Sequence, residues 1–252
     1  MIRAVLFDLD DTLSDYSKSA KWSLSQVADY AVDHNGNLTG LGLQEAYYHA
    51  RDDLEQEAAQ VGEALYAKRS GLEVRYLIWE RALQRCGVSS PLLARAVAAR
   101  YGLERAQTIS LFPDALPVLT RLKQGYALGL VVNGPADIQR EQIERLRLEP
   151  FFSTILIEGE VGYGKPTPAV FGLAAEKVGC DPSEAVFVGD SLTEDIAGAK
   201  AAGLRAVWVN RAGQPLSSED PAPDAEIVRL SDLPQVIADL SGAEGADTGS
   251  TP

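Results

Sequence analysis

The sequence predicts an α/β protein: a doubly wound parallel sheet flanked by helices, interrupted after its first strand by an inserted helical domain. Three observations predict it. Short apolar runs at 4–7, 126–132, 154–157, 185–188 and 206–209 are rich in Val, Leu, Ile or Phe, the composition of strands buried on both faces. Between the first run and the second, almost a hundred residues carry apolar spacings of three and four instead. Three of the runs end in polar or acidic clusters, where open α/β sheets place their sites: Asp8 to Asp11, Asn133-Gly134 and Gly189-Asp190.

With 252 residues, 46% of them hydrophobic, the chain can fill one large α/β core or a core carrying a smaller unit. Its formal net charge is −13 and no Lys/Arg cluster makes a phosphate-backbone footprint, so neither nucleic acid nor an anionic membrane is an expected partner. No apolar run is long enough to span a bilayer, and Met1-Ile-Arg leads straight into the first strand without a leader pattern; the expected location is the cytoplasm. Cys86 and Cys180 form no C-x-x-C pair, and His34 and His49 stand apart, so these read as ordinary side chains. A monomer or a homodimer is expected.

Taken in order, the first strand leads into Asp8-Leu9-Asp10-Asp11-Thr12-Leu13. Strand alternation puts Asp8 and Asp10 on one side and Leu9 on the other. Two close carboxylates in a partly buried place stay ionised only if a cation joins them or one keeps a proton, so the residues ask for a metal, an acid or both. Helices are predicted near 16–34, 41–67, 72–86 and 90–106, separated by glycines and by Gly87-Val-Ser-Ser-Pro91. Trp22, Tyr30, Tyr47, Tyr48, Leu54, Leu65, Tyr66, Tyr76, Leu77 and Trp79 are expected in the core of that bundle.

A helix near 114–123 precedes the second strand, which ends in Asn133-Gly134-Pro135, a tight turn into helix 136–147 whose free N–H groups suit an anion. After the third strand, Glu158 to Gly164 reads as a glycine-rich loop around Lys165, kept out of the next helix (168–178) by Pro166. The fourth run ends in Gly189-Asp190, with Asp195 five residues on at a helix start; oxygen-only ligands of this kind suit Mg²⁺ better than Zn²⁺. A strand at 225–228 and a helix at 231–240 complete the sheet, with Asn210-Arg211 at a pocket rim or in a surface turn. Residues 241–252 lack apolar content and are expected to be a disordered tail.

Asp8-x-Asp10-x-Thr12, Asn133-Gly134, Gly164-Lys165-Pro166 and Gly189-Asp190-x-x-x-x-Asp195, in this order, resemble the four motifs of the haloacid dehalogenase-like superfamily of hydrolases. The resemblance covers the chain apart from its tail. It implies a Rossmann-like core over residues 1–14 and 108–240 and a helical type I cap over 15–107 that closes on the site. It implies Asp8 as the nucleophile that forms an aspartyl-phosphate and Asp10 as general acid and base. It further implies that Lys165 neutralises charge, that Asn133 and Gly134 contact the substrate, and that Asp8, the Asp10 main-chain carbonyl, Asp190 and Asp195 hold Mg²⁺. One position departs from the pattern: Val132 stands where the superfamily carries a Ser or Thr hydroxyl that contacts the phosphoryl group. A lost hydrogen bond to a charged group is worth about 1.5–3 kcal/mol.

The function implied is Mg²⁺-dependent hydrolysis of a small phosphate monoester. A sugar phosphomutase or a 2-haloacid dehalogenase of the same superfamily, or a non-catalytic phosphometabolite-binding protein, are the competing readings; Asp10, Asp190 and Asp195 argue against the dehalogenase. Lys18, Lys21, Arg69 and Arg75 are candidates to receive a second anionic group of the substrate, or are solvated helix faces.

Overall fold

The computed structural model describes residues 1–60, 65–66 and 69–242. Strand β1 (Ala4–Phe7) leads through the acidic turn into four helices, α1 (Tyr16–His34), α2 (Gly40–Gln60), α3 (Gly71–Arg85) and α4 (Pro91–Thr108). The remainder alternates: α5 (Ala115–Leu122), β2 (Ala127–Val132), α6 (Ala136–Arg145), β3 (Thr154–Ile157), α7 (Glu158–Val161), α8 (Pro168–Val178), β4 (Ala185–Gly189), α9 (Ala197–Ala201), β5 (Arg205–Val209), β6 (Ala225–Ile227) and α10 (Leu233–Gly242). Ser70 and Glu73 form a reciprocal capping box that starts α3, and Ser90 with Pro91 starts α4.

All six strands are parallel, in the order β3-β2-β1-β4-β5-β6. The order reverses at β1, and a doubly wound sheet opens its ligand crevice at that reversal. Phe7 pairs with Leu130 on one side and Val188 on the other, so Asp8 emerges between the ends of β2 and β4. Each sheet face buries its own set of side chains, as parallel strands require. Val5, Phe7, Leu130 and Val188 pack with Leu119 of α5 and Ile237 of α10; Leu6, Val131 and Phe187 pack with Phe171 of α8 and Ala199 of α9. Helices α1 to α4 bury a separate core around Tyr47, Trp79 and Tyr101, whose ring centroids lie 4.8–5.7 Å apart.

Several expectations need correction. Trp22 is 55% exposed and Tyr48 is at the surface, because both fall on the outer sides of their helices; they are not core. The expected loop after β3 begins instead as the helical turn α7, which Gly162 ends in the left-handed conformation. Helix α2 stops at Gln60 among the described residues, and of the predicted extension 61–64 and 67 lie outside them. Ser241 and Gly242 finish α10, so the tail begins later than expected, and its other residues lie outside the described range.

Candidate active site

The ammonium of Lys165 is the centre of the crevice. Its Nζ lies 2.5 Å from Asp8 Oδ1 and 2.7 Å from Asp195 Oδ1, with all three side chains less than one-tenth exposed. Asn133 fixes the lysine's main chain on both sides: its Oδ1 accepts from Lys165 N at 2.8 Å and its Nδ2 donates to Lys165 O at 2.9 Å. Asp195 is fixed in turn by Ser191 N, which donates to Oδ2 at 3.0 Å. It enters from a π-helical turn, Leu192–Ile196, rather than an ordinary first helical turn. Gly189 is where this packing requires glycine, since a Cβ there would overlap the Asp195 carboxylate.

Asp190 completes the group: carboxylate oxygens of Asp8, Asp190 and Asp195 lie within 4.8 Å of one another. Three acids around one ammonium leave surplus negative charge. Burial first, with repulsion from Asp195 adding to it, pushes Asp8 up to about 7 even against the attraction of Lys165. Burial and the neighbouring Asp8 push Asp190 up to about 8. For Lys165, burial alone would lower the value, but Asp195 and Asp8 outweigh it and raise it. Asp8 Oδ2 is buried with no hydrogen-bond partner. Surplus charge, an unsatisfied carboxylate oxygen and an all-oxygen donor set together fit a hard divalent cation.

Asp10 belongs to a different network. Its Oδ1 accepts from Gln142 Nε2 at 2.5 Å and from Ser14 Oγ at 3.2 Å. Burial raises its pKa, opposed by Arg105 and these two donors. The remaining acid of the turn has a structural job: Asp11 sits at φ 60° and accepts from Ser17 N at 2.7 Å and Ser17 Oγ at 2.6 Å, securing the first turn of α1. Asp8 and Asp10, two residues apart, thus meet one lysine and one glutamine respectively.

Above this floor a cleft of about 380 Å³ runs between the sheet edge and the helical insert. Asp10, Asn133, Gly134 and Glu158 line its sheet side; Tyr16, Tyr47, Arg75, Tyr101 and Arg105 line the helical side. Gly134 N, a candidate anion donor, is 3.0 Å from Glu158 Oε2, so a carboxylate takes that amide here. Val132 is 2% exposed in the core beneath it. Among the cationic candidates only Arg75 reaches the cleft: Lys18 and Lys21 line a separate hollow with Trp22, and Arg69 bonds Leu65 O at 3.0 Å. Arg211 braces the fold, bonding Thr12 O and Asp114 Oδ1 at 3.2 Å each.

Sequence reasoning missed Gln142, Glu158, Arg51 and Arg105. A signal for the first existed. Gln139, Gln142 and Ile143 are the buried residues of α6, so two glutamines occupy positions where the helical spacing calls for apolar side chains.

The family model for haloacid dehalogenase-like hydrolases matches residues 2–203. The chain is 33% identical to a glyceraldehyde 3-phosphate phosphatase of Methanopyrus kandleri, over 96% of this chain and 99% of that one. It is 34% identical to a phosphoserine phosphatase of Thermus thermophilus, over 94% and 98%. Among solved structures, a 2-haloacid dehalogenase from Pseudomonas syringae pv. Tomato superposes with a TM-score of 0.70 at 32% identity, covering 95% of this chain and 99% of that one.

Proposed function

We propose, from the premise that the chain belongs to the haloacid dehalogenase-like hydrolase family, that it is a phosphoric monoester hydrolase acting on a small phosphorylated metabolite. The observation that carries the reading is the buried Lys165 between Asp8 and Asp195, with Asp190 beside them. Asp8 attacks phosphorus, and the bond to the leaving oxygen breaks as Asp10 gives that oxygen a proton. Asp10 then takes a proton from the water that attacks the aspartyl-phosphate, releasing phosphate and restoring Asp8. Lys165 holds Asp8 in place and faces the oxygens on which charge gathers. Asp8, the Asp10 carbonyl, Asp190 and Asp195 would hold Mg²⁺, which when bound supplies positive charge to the phosphoryl oxygens.

The helical insert, residues 15–107, serves as a cap over a core of 1–14 and 108–240. Away from its two ends, the core holds it at α3, where Gly71 N, in the first turn, donates to Asp137 Oδ1 at 2.8 Å. A closed cap excludes water from the acyl phosphate until hydrolysis. The dehalogenase reading leaves Asp10 without work, since displacing a halide needs no proton donor, yet Gln142 and Ser14 hold that carboxylate in the cleft wall.

The test is phosphate release from sugar phosphates, nucleotides, a sugar bisphosphate and p-nitrophenyl phosphate, after chelation and after Mg²⁺ is restored. Release that returns with Mg²⁺, accompanied by a higher Tm, supports the phosphatase. Folded protein that releases no phosphate but frees chloride from 2-chloropropionate would overturn it, and transfer within the bisphosphate would point to the mutase.

Val132 gives a second prediction. Val132→Thr, nearly isosteric, is expected to raise kcat/KM by about tenfold or more if the new hydroxyl meets the phosphoryl group. An unpartnered hydroxyl at that buried position would instead cost about 1–3 kcal/mol of stability. A lower Tm with unchanged kinetics would mean that main-chain amides already satisfy the phosphoryl oxygens.

A further inference from the structure

The helical side of the cleft carries more positive charge than its own carboxylates neutralise. Of the arginines that line it, Arg51 is paired with Asp52 at 2.9 Å and Glu55 at 3.8 Å. Arg75 and Arg105 are different. Among the described residues neither makes an ion pair, and Arg75 makes no hydrogen bond either. Arg105, 7% exposed, donates to Tyr16 O at 3.0 Å and lies 3.8 Å over the Tyr16 ring.

Arg75 is nevertheless held in place. It reaches across from α3 to α4, where a Cβ at Gly102 would overlap its Nη1, so the bare backbone of α4 makes its seat. Tyr16, Tyr47 and Tyr101 line the same side of the cleft. Burial lowers the pKa of Arg75, and repulsion from Arg105 adds to the effect. Arg105 acts on Asp10 from across the cleft, but neither guanidinium makes an ion pair among the described residues, and two like charges in one cleft are stabilised when an anion joins them.

The geometry points to a second anionic group on the substrate, a carboxylate or a second phosphate, received by Arg75 and Arg105 on the helical side of the cleft. The inference rests on the phosphatase reading and narrows it: the metabolite is short, with the transferred phosphate at the sheet edge and the other anion against α3 and α4. Guanidinium forks suit either anion by paired N–H donation. A neutral far end would leave both guanidinium groups without an ion pair.

The experiment measures kcat/KM with Mg²⁺ for glycerol 3-phosphate, 3-phosphoglycerate and propane-1,3-diol bisphosphate, with p-nitrophenyl phosphate as a general reporter. At least one of the two probes with a second anion should exceed glycerol 3-phosphate by roughly tenfold or more, and which one does so separates carboxylate from phosphate. Arg75→Met should bring that ratio close to one, mainly through KM. So should Gly102→Ala, which displaces the Arg75 guanidinium while replacing glycine by a better helix former in α4, so that folding is not in question. Absence of any preference would overturn the subsite, as would variants that slow glycerol 3-phosphate as much as the other two. Failure to release phosphate from any of the four compounds would instead overturn the phosphatase reading itself.

Discussion

Asp8→Asn is expected to lower phosphate release by at least about four orders of magnitude while leaving the protein folded and more stable. The loss of rate follows from removing the group proposed to attack phosphorus, and enzymes stripped of a covalent nucleophile fall by factors of this order. The gain in stability follows from electrostatics. Asp8 has its pKa raised to about 7 from 3.8, chiefly by burial, so the fold favours its protonated form. A carboxylate shifted this way costs stability once pH rises above the unfolded value, and the cost grows until pH passes the folded one. At pH 7.5 without metal that cost is on the order of 4 kcal/mol. The amide of asparagine, nearly the same shape, carries none of it and can turn its oxygen toward Lys165. The measurement is a pair: phosphate release with Mg²⁺, and Tm in metal-free buffer at pH 7.5, where a rise of several degrees is expected. Residual turnover near that of the wild type would place the nucleophile elsewhere; an unchanged or lower Tm would mean that the Asp8 carboxylate does not cost the fold stability.

The gain from removing Asp8 and the legibility of the site have the same origin. A residue kept at a place where it destabilises the fold stands out from the propensity around it, and so the acids that end β1 and β4 could be read from the sequence as a site. The strands were legible because a parallel sheet covered on both faces demands unbroken apolar runs, and Val5, Leu6, Val186 and Phe187 meet that demand. Their lateral order was not, because β1 lies between β2 and β4 through contacts distant in sequence. The make-up of the cleft wall was illegible for a similar reason, although Arg75 stood among the cationic candidates. Arg75, Arg105 and Gln142 come from three helices, no two of them within a common motif, and only the packing of α3 against α4 and of the insert against α6 brings them to one cavity. Asp11 shows the opposite limit. It stands in the same acidic run as Asp8 and Asp10, yet its left-handed φ and its bonds to Ser17 make it a helix-securing turn residue, a distinction that composition alone does not draw.

Lys165→Met is expected to remove activity as well, but with the opposite effect on stability, and the contrast tests the arrangement as a whole. Methionine matches the length of the aliphatic stem and supplies no charge. Asp8 and Asp195 would then face each other buried and uncompensated, and breaking a buried pair by removing one partner costs about 3–5 kcal/mol. For a chain of this size that lowers Tm by roughly 6–20 °C. Turnover should fall by about a hundredfold or more even where the variant is folded, because a fixed positive charge at the phosphoryl oxygens is lost. The double variant Asp8→Asn with Lys165→Met removes one of the two stranded carboxylates, so its Tm should recover part of the difference. The two single changes will therefore fail to add, by an amount that measures the coupling between Asp8 and Lys165. If the single effects on Tm simply sum, the 2.5 Å contact carries no interaction energy and Lys165 is held by Asp195 and the Asn133 clamp alone. A non-additive result, with activity absent in all three variants, would mean that the charge pair which strains the fold is the one that catalysis uses.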